Sequence, residues 1–244
     1  MSTAIQVTRL TKSFRLHGGV VHALNGIDLC VDEGTVFGFL GPNGAGKTTT
    51  MHILLGFVAP TVGEAQIFGE DTRKNLARKR IGYLPEHPQT YPFLTGRELM
   101  HMASRFFGLR GSLARERTSR LLSEVGLDSA ADRRIGTYSR GMMQRIGLAQ
   151  ALINDPDLVI LDEPTSGLDP LARKEIRRII TAQRDAGKTV FFSSHELSEV
   201  ERVCDHLAIL NRGRVAVQGR ADELLGDRTD LEQYFLKTVE ADGT

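Results

Sequence analysis

The chain has 244 residues, with 31 lysines and arginines against 30 aspartates and glutamates, for a formal net charge of +1. Hydrophobic residues at 41% and charged residues at 25% are ordinary for a globular protein, and the balanced charge argues against a broad nucleic-acid surface. Two cysteines far apart, Cys30 and Cys204, exclude a disulfide framework and fit a reduced setting, while no run approaches the roughly 18 apolar residues of a spanning helix.

The N-terminal "MSTAIQVTRLTKSF" has no long apolar core and predicts no signal peptide. "IQVTRL" and "GIDLCV" alternate as strands on either side of an "HGG" break, and "VFGFL" is a short apolar strand. "TTTMHILLGF" reads as a helix, and "GEAQIFGE" and "RIGYLP" as strands flanking the basic stretch "RKNLARKR". From Pro92 to Ile153 the pattern turns helical, most clearly in "TGRELMHMASRFFGL" and "RERTSRLLSEVGL". "DLVILDEP" is a buried strand, "PLARKEIRRIITAQRDAG" a helix ended by Gly187, "TVFFSSH" a strand and "ELSEVERVCD" a helix. "HLAILNRGRVAVQG" closes the series as a hairpin. Strands alternating with helices imply an α/β sheet, with the helical middle as an inserted subdomain.

"GPNGAGKT", Gly41 to Thr48, fits G-x-x-x-x-G-K-[ST] between a predicted strand and a predicted helix. Gly41, Pro42, Asn43, Gly44, Ala45, Gly46 and Thr49 form a loop whose backbone N–H groups can turn onto phosphate oxygens at a helix N-terminus. Lys47 can reach the β- and γ-phosphates of a nucleotide, and the Thr48 hydroxyl can ligate Mg²⁺.

"LVILDEP" ends a strand on two adjacent carboxylates, and ligands in open α/β sheets sit beyond the carboxyl ends of strands. Asp162 is suited to Mg²⁺, and Glu163, on the other side of the strand, to orienting or deprotonating an attacking water. "FFSSHE" repeats the design, with His195 able to reach a γ-phosphate and to fix the water and the carboxylate. The other histidines, His17, His22, His52, His87, His101 and His206, read as structural.

"YSRGMMQRIGLAQALINDPDLVILDEPTSGLDP", Tyr138 to Pro170, resembles the signature helix, Walker B strand and D-loop of the ATP-binding cassette (ABC) ATPases. With the glycine loop upstream and His195 downstream, the resemblance covers nearly the whole chain. It implies a P-loop NTPase core of the ABC type with an antiparallel β subdomain and an inserted helical subdomain. The single domain 1–244 then divides into a core with β subdomain (1–87 and 155–220), the helical subdomain (88–154) and a short C-terminal helix or tail (221–244). The resemblance further implies ATP and Mg²⁺ as ligands, Phe14 stacked on adenine, Glu86 at the position of the usual Q-loop glutamine with a metal or water role, and Asp169 as the D-loop aspartate. Ser139 and Gly141 would act on a γ-phosphate held by the opposite copy, so that two copies sandwich two nucleotides.

Three residues depart from the family pattern: Glu86, Arg140 for the first glycine of the signature, and Met142 for its glutamine. Arg140 either places a positive charge near the phosphate or lies solvated. The segments "IGYLPEHPQTYPFLTGREL", "YSRGMMQR" and "SSHELSEVERVCDHLAIL" resemble the type-2 exporter branch. That likeness implies a peripheral subunit on the cytoplasmic face of the membrane, working with a second ATPase copy and an integral permease and touching no nucleic acid. The competing class is a soluble ABC ATPase acting on nucleic acid or ribosomes, which generally carries two cassettes, long coiled-coil arms or zinc modules. Tyr91, Pro92 and Phe93 would receive the permease or else belong to local core. "RKNLARKR" and "EIRRII" read as solvated faces.

Overall fold

The computed structural model describes residues 2–16, 19–74 and 77–225. The histidine at 17, part of the basic stretch 73–80 and the tail beyond 225 lie outside the described residues. Two sheets organise the chain. The first is antiparallel, in the order β2-β1-β4-β5, with β1 Thr3–Leu16, β2 Gly19–Asp32, β4 Val62–Ile67 and β5 Glu70–Asp71. The second runs β10-β9-β3-β8-β7-β6, with β3 Val36–Leu40, β6 Ile81–Leu84, β7 Leu158–Leu161, β8 Thr189–Ser194, β9 His206–Asn211 and β10 Arg214–Arg220. All its pairings are parallel except that of β10 with β9.

Alternation along the central strands builds a core on each face of the second sheet. Phe37, Phe39, Leu158, Ile160 and Phe191 face the first sheet and helix α1 (Lys47–Leu54). Val36, Leu40, Val159, Leu161 and Phe192 face the remaining helices. Each fully buried phenylalanine contributes about 2 kcal/mol through lost contact with water. Because both faces are covered, these strands read as continuous apolar runs. Their parallel alignment brings the carboxyl ends of β3, β7 and β8 to one edge, where the glycine loop, Asp162–Glu163 and His195 all emerge.

The insertion carries α2 (Gly96–Phe106), α3 (Gly111–Glu124) and α4 (Arg140–Ala151). A capping box starts α2: Thr95 Oγ1 accepts the Glu98 N–H at 3.2 Å, and Glu98 Oε2 accepts the Thr95 N–H at 2.8 Å. The insertion meets the core where α4 ends against β6. A Cβ built on Gly82 would lie 2.1 Å from the Ala151 carbonyl oxygen, so backbone packs directly on backbone there. Gly82→Ala is therefore expected to destabilise by about 3 kcal/mol, an overpacking cost that lowers the melting temperature by roughly 6–12 °C. A shift below 2 °C in thermal unfolding would show that the two elements separate freely.

Helix α5 is Pro170–Asp185, capped by Asp169, and α7 is Ala221–Leu225. Helix α6 spans only Leu197–Glu201, shorter than the predicted "ELSEVERVCD". The reason lies at Asp205, whose Oδ2 accepts the Val36 N–H at 2.8 Å and so draws the chain back to the sheet before a third turn can form.

Candidate nucleotide site

The glycine loop leaves β3 and feeds α1, whose first intrahelical bond is Thr50 N–H to the Gly46 carbonyl at 2.9 Å. The N–H groups ahead of it have no partner inside the helix, which makes this terminus an anion acceptor. Gly46 has φ of 110°, and a Cβ there would lie 2.6 Å from the Ala23 carbonyl, so only glycine turns the loop this way.

Lys47 folds back over the loop. Its Nζ donates to the Gly41 carbonyl at 2.6 Å and the Pro42 carbonyl at 3.3 Å, and lies 3.2 Å from Glu163 Oε1. The last contact is an ion pair approached off-axis, so Oε1 is buried without a hydrogen bond of its own. Oε2 of the same carboxylate is fully engaged, with His195 Nδ1 at 2.7 Å and the His195 N–H at 3.3 Å. An ionised carboxylate only accepts, so this contact requires a proton on Nδ1.

Asp162 is held from both sides: Thr48 Oγ1 donates to Oδ2 at 3.0 Å, and Ser193 Oγ donates to Oδ1 at 2.7 Å. Ser193 Oγ also accepts the Glu163 N–H at 2.9 Å, so one buried hydroxyl orients both acidic residues. Burial, followed by the charge of Asp162, pushes the nearby Tyr83 phenol up to about 12. Strand alternation places Glu163 opposite Asp162; instead β7 ends at Leu161, and Glu163, at φ 48°, turns back toward the same edge.

Gly46, Lys47, Thr48, Glu163 and His195 wall a cavity of about 470 Å³ that also takes in Pro42, Asn43, Gly44, Thr49 and Glu86. Gly41 joins through its carbonyl, and Ala45 lies behind the wall, 3% exposed. Phe14 is not on the wall: it pairs across the hairpin with Val21, which is, and Lys12 Nζ lies 4.8 Å above its ring. His22, read from sequence as structural, lines the cavity and is 2.9 Å from Ser13 Oγ. Neither His22 nor Ser193 carries a local sequence signal; tertiary pairing places both.

Ser139, Gly141 and Asp169 line no part of this cavity. Ser139 is exposed and caps α4, its Oγ accepting the Met142 N–H at 3.3 Å. Asp169 Oδ1 accepts N–H groups of Leu171 at 3.0 Å and Ala172 at 2.9 Å. Arg140 is exposed and lines no part of the cavity; a Cβ on Gly167 would come within 2.6 Å of its guanidinium, which lies over the loop leading to Asp169. Met142 packs on the helical core. Tyr91 and Phe93, with ring centroids 5.8 Å apart, are exposed at 49% and 68%, which removes the local-core reading. Phe106, 81% exposed, and Phe107 edge an apolar groove of about 340 Å³ between β6 and the insertion.

A sequence profile for the family described as "ABC transporter" matches residues 24–166. An uncharacterized ABC transporter ATP-binding protein of Nostoc sp. is 48% identical over 210 residues, 85% of this chain and 63% of that protein. The chain thus spans less than two thirds of that relative. The bacitracin transport ATP-binding protein BcrA of Bacillus licheniformis is 41% identical, over 92% of this chain and 72% of its own length. A Nod factor export ATP-binding protein I of Cupriavidus metallidurans is 40% identical, over 92% and 74%. Among solved structures, a dimeric ATP-binding cassette in a post-hydrolysis state with ADP and Pi superposes with a TM-score of 0.82 at 25% identity, covering 89% of this chain and 99% of that one. The ATP-binding subunit of an ABC transporter gives 0.84 at 29%, covering 96% and 99%. Profile, relatives and fold agree: the chain belongs to the ABC transporter family, among its ATP-binding proteins.

Proposed function

We propose that the chain binds and hydrolyses ATP in this cavity, paired with a second copy that supplies Ser139 and Gly141, and powers an exporter from the cytoplasmic face of a membrane. The observation that carries the reading is the convergence of Lys47, Thr48, Glu163 and His195, from two strand ends and one helix, on a single glycine-walled cavity, with Asp162 hydrogen-bonded to Thr48. The similar dimeric cassette with ADP and Pi supports pairing and hydrolysis, and the bacitracin and Nod factor relatives support export. The exposed Tyr91, Phe93 and Phe106 offer an apolar surface to a membrane subunit.

Glu163 is the base. Oε2 is fixed by His195, and Oε1, held only by the Lys47 ion pair, is free to take a proton from water once Lys47 turns to the phosphates. His195 would reach the transferring phosphoryl group as a donor from Nε2, with a proton on each ring nitrogen, and Lys47 meets that group's charge. Mg²⁺ fits the hard oxygens of Thr48 and Asp162, with Glu86 on the same wall. Among the described residues no cluster of three acidic, histidine or cysteine side chains could hold a metal, so the ion would share its coordination with the phosphates and neutralise their charge.

Size exclusion and phosphate release test the reading together. ATP with Mg²⁺ is expected to convert monomer to a transient dimer, EDTA to stop turnover, and the chain to sediment with membranes only when a permease is coexpressed. A protein that stays monomeric and releases no phosphate, even beside its membrane partner, overturns it.

A further inference from the structure

Beyond the cavity wall, a second polar arrangement links the segment before α5 to the segment carrying His195. Arg173, on the first turn of α5, donates from Nε to the Leu168 carbonyl at 2.9 Å. The two Nη groups of the same guanidinium clasp the Glu196 carboxylate, Nη2 to Oε1 at 2.9 Å and Nη1 to Oε2. One turn further on, Arg177 Nη1 holds Glu199 Oε1 at 2.6 Å. The stretch "EIRRII", read from sequence as a solvated face, therefore contributes Arg177 to a partly buried pairing.

The local bonding makes the clasp stiff at both ends. Leu168 is 7% exposed in the helical core, and Asp169 caps the helix that bears Arg173. Glu196 is cinched to Ser194, whose Oγ accepts its N–H at 2.9 Å and donates to its carbonyl at 3.0 Å. His195 sits between these two anchored residues and reaches Glu163. A planar fork bonded to a carbonyl and bidentate to a carboxylate has little freedom to tilt.

Resting on the hydrolytic reading above, we propose that Arg173 is a positioning residue for hydrolysis. It locks the Leu168–Asp169 backbone to Glu196, so that the loop a partner copy would press upon and the His195–Glu163 pair shift as one body. Arg173 lines no part of the cavity; it acts by fixing where His195 stands, and so which way Glu163 Oε1 faces.

The test compares the full-length chain with Arg173→Ala, Arg173→Lys, Glu196→Ala and the double alanine variant, measuring steady-state ATP hydrolysis, nucleotide stoichiometry and ATP-dependent dimer lifetime. Arg173→Ala is expected to lower kcat by about tenfold or more with KM for ATP within about twofold, the mark of an interaction acting on the chemical step. Lysine should recover only part of the loss, since an ammonium reaches one of the two partners but not both. The double variant should cost no more than Arg173→Ala alone, because both changes break one linkage. The ATP-bound dimer should last longer than in the wild type, which a merely structural defect would not produce. A kcat loss matched by lost nucleotide stoichiometry, full recovery by lysine, or a double variant losing the product of the single losses overturns the proposal. A wild-type chain without turnover would instead sink the hydrolytic reading itself.

Discussion

Glu163→Gln is expected to lower ATP turnover by about 10²- to 10⁴-fold, the range ascribed to a positioned general base, while ATP binding persists and the ATP-bound dimer accumulates. The amide is nearly isosteric, and its carbonyl can keep the 2.7 Å contact to His195 Nδ1. What is lost is the basic oxygen, the buried Oε1 that has the Lys47 ion pair but no hydrogen bond. Removing one negative charge from a wall that must face a triphosphate should leave nucleotide affinity equal or slightly tighter. Phosphate release and size exclusion with ATP read the two halves separately. Near-normal turnover would take Glu163 out of the chemistry and leave its contacts with Lys47 and His195 as architecture.

What could be read before the structure depends on how far apart in sequence the cooperating atoms lie. The glycine loop is a contiguous device: its N–H groups, its lysine and its threonine occupy eight neighbouring positions, so residue types alone point to phosphate chemistry. Asp162 and Glu163 were legible for the same reason, at the end of an apolar run. The face on which Glu163 stands was not. Period-2 alternation assumes strand geometry through residue 163, whereas a left-handed φ of 48° turns that residue back. Ser193 lies 31 residues from Asp162, and Arg173 lies 23 from Glu196. Neither serine nor arginine is unusual where it stands, and only the fold pairs them with a carboxylate. His22 enters the cavity because β2 pairs with β1 beside the glycine loop, a contact that no periodicity encodes. The helical insertion was visible as a change of period, yet its junction with the core rests on Gly82, a single glycine in an apolar strand.

Lys47→Ala should separate two roles of one ammonium. With nucleotide, loss of a charged donor to the phosphates is expected to weaken ATP binding by roughly 10- to 100-fold, from about 1.5–3 kcal/mol per charged hydrogen bond, and to stop measurable turnover. Without nucleotide, the lysine sits 6% exposed, 3.2 Å from a carboxylate that is 10% exposed. Removing one member of a buried pair costs about 3–5 kcal/mol when the other is left bare. Glu163 retains His195, and its cavity opens to solvent, so a loss of about 1–3 kcal/mol is expected, or roughly 2–12 °C in melting temperature. The sign of a second substitution decides whether that account is right. If the instability comes from an uncompensated Glu163, then Glu163→Gln in the Lys47→Ala background should restore most of the melting temperature without restoring nucleotide binding, a non-additivity expected of groups in direct contact. Calorimetry of the four proteins without nucleotide measures it. Additive losses would mean that the lysine stabilises the loop through the Gly41 and Pro42 carbonyls alone, and that Glu163 is neutralised by other means while the site stands ready.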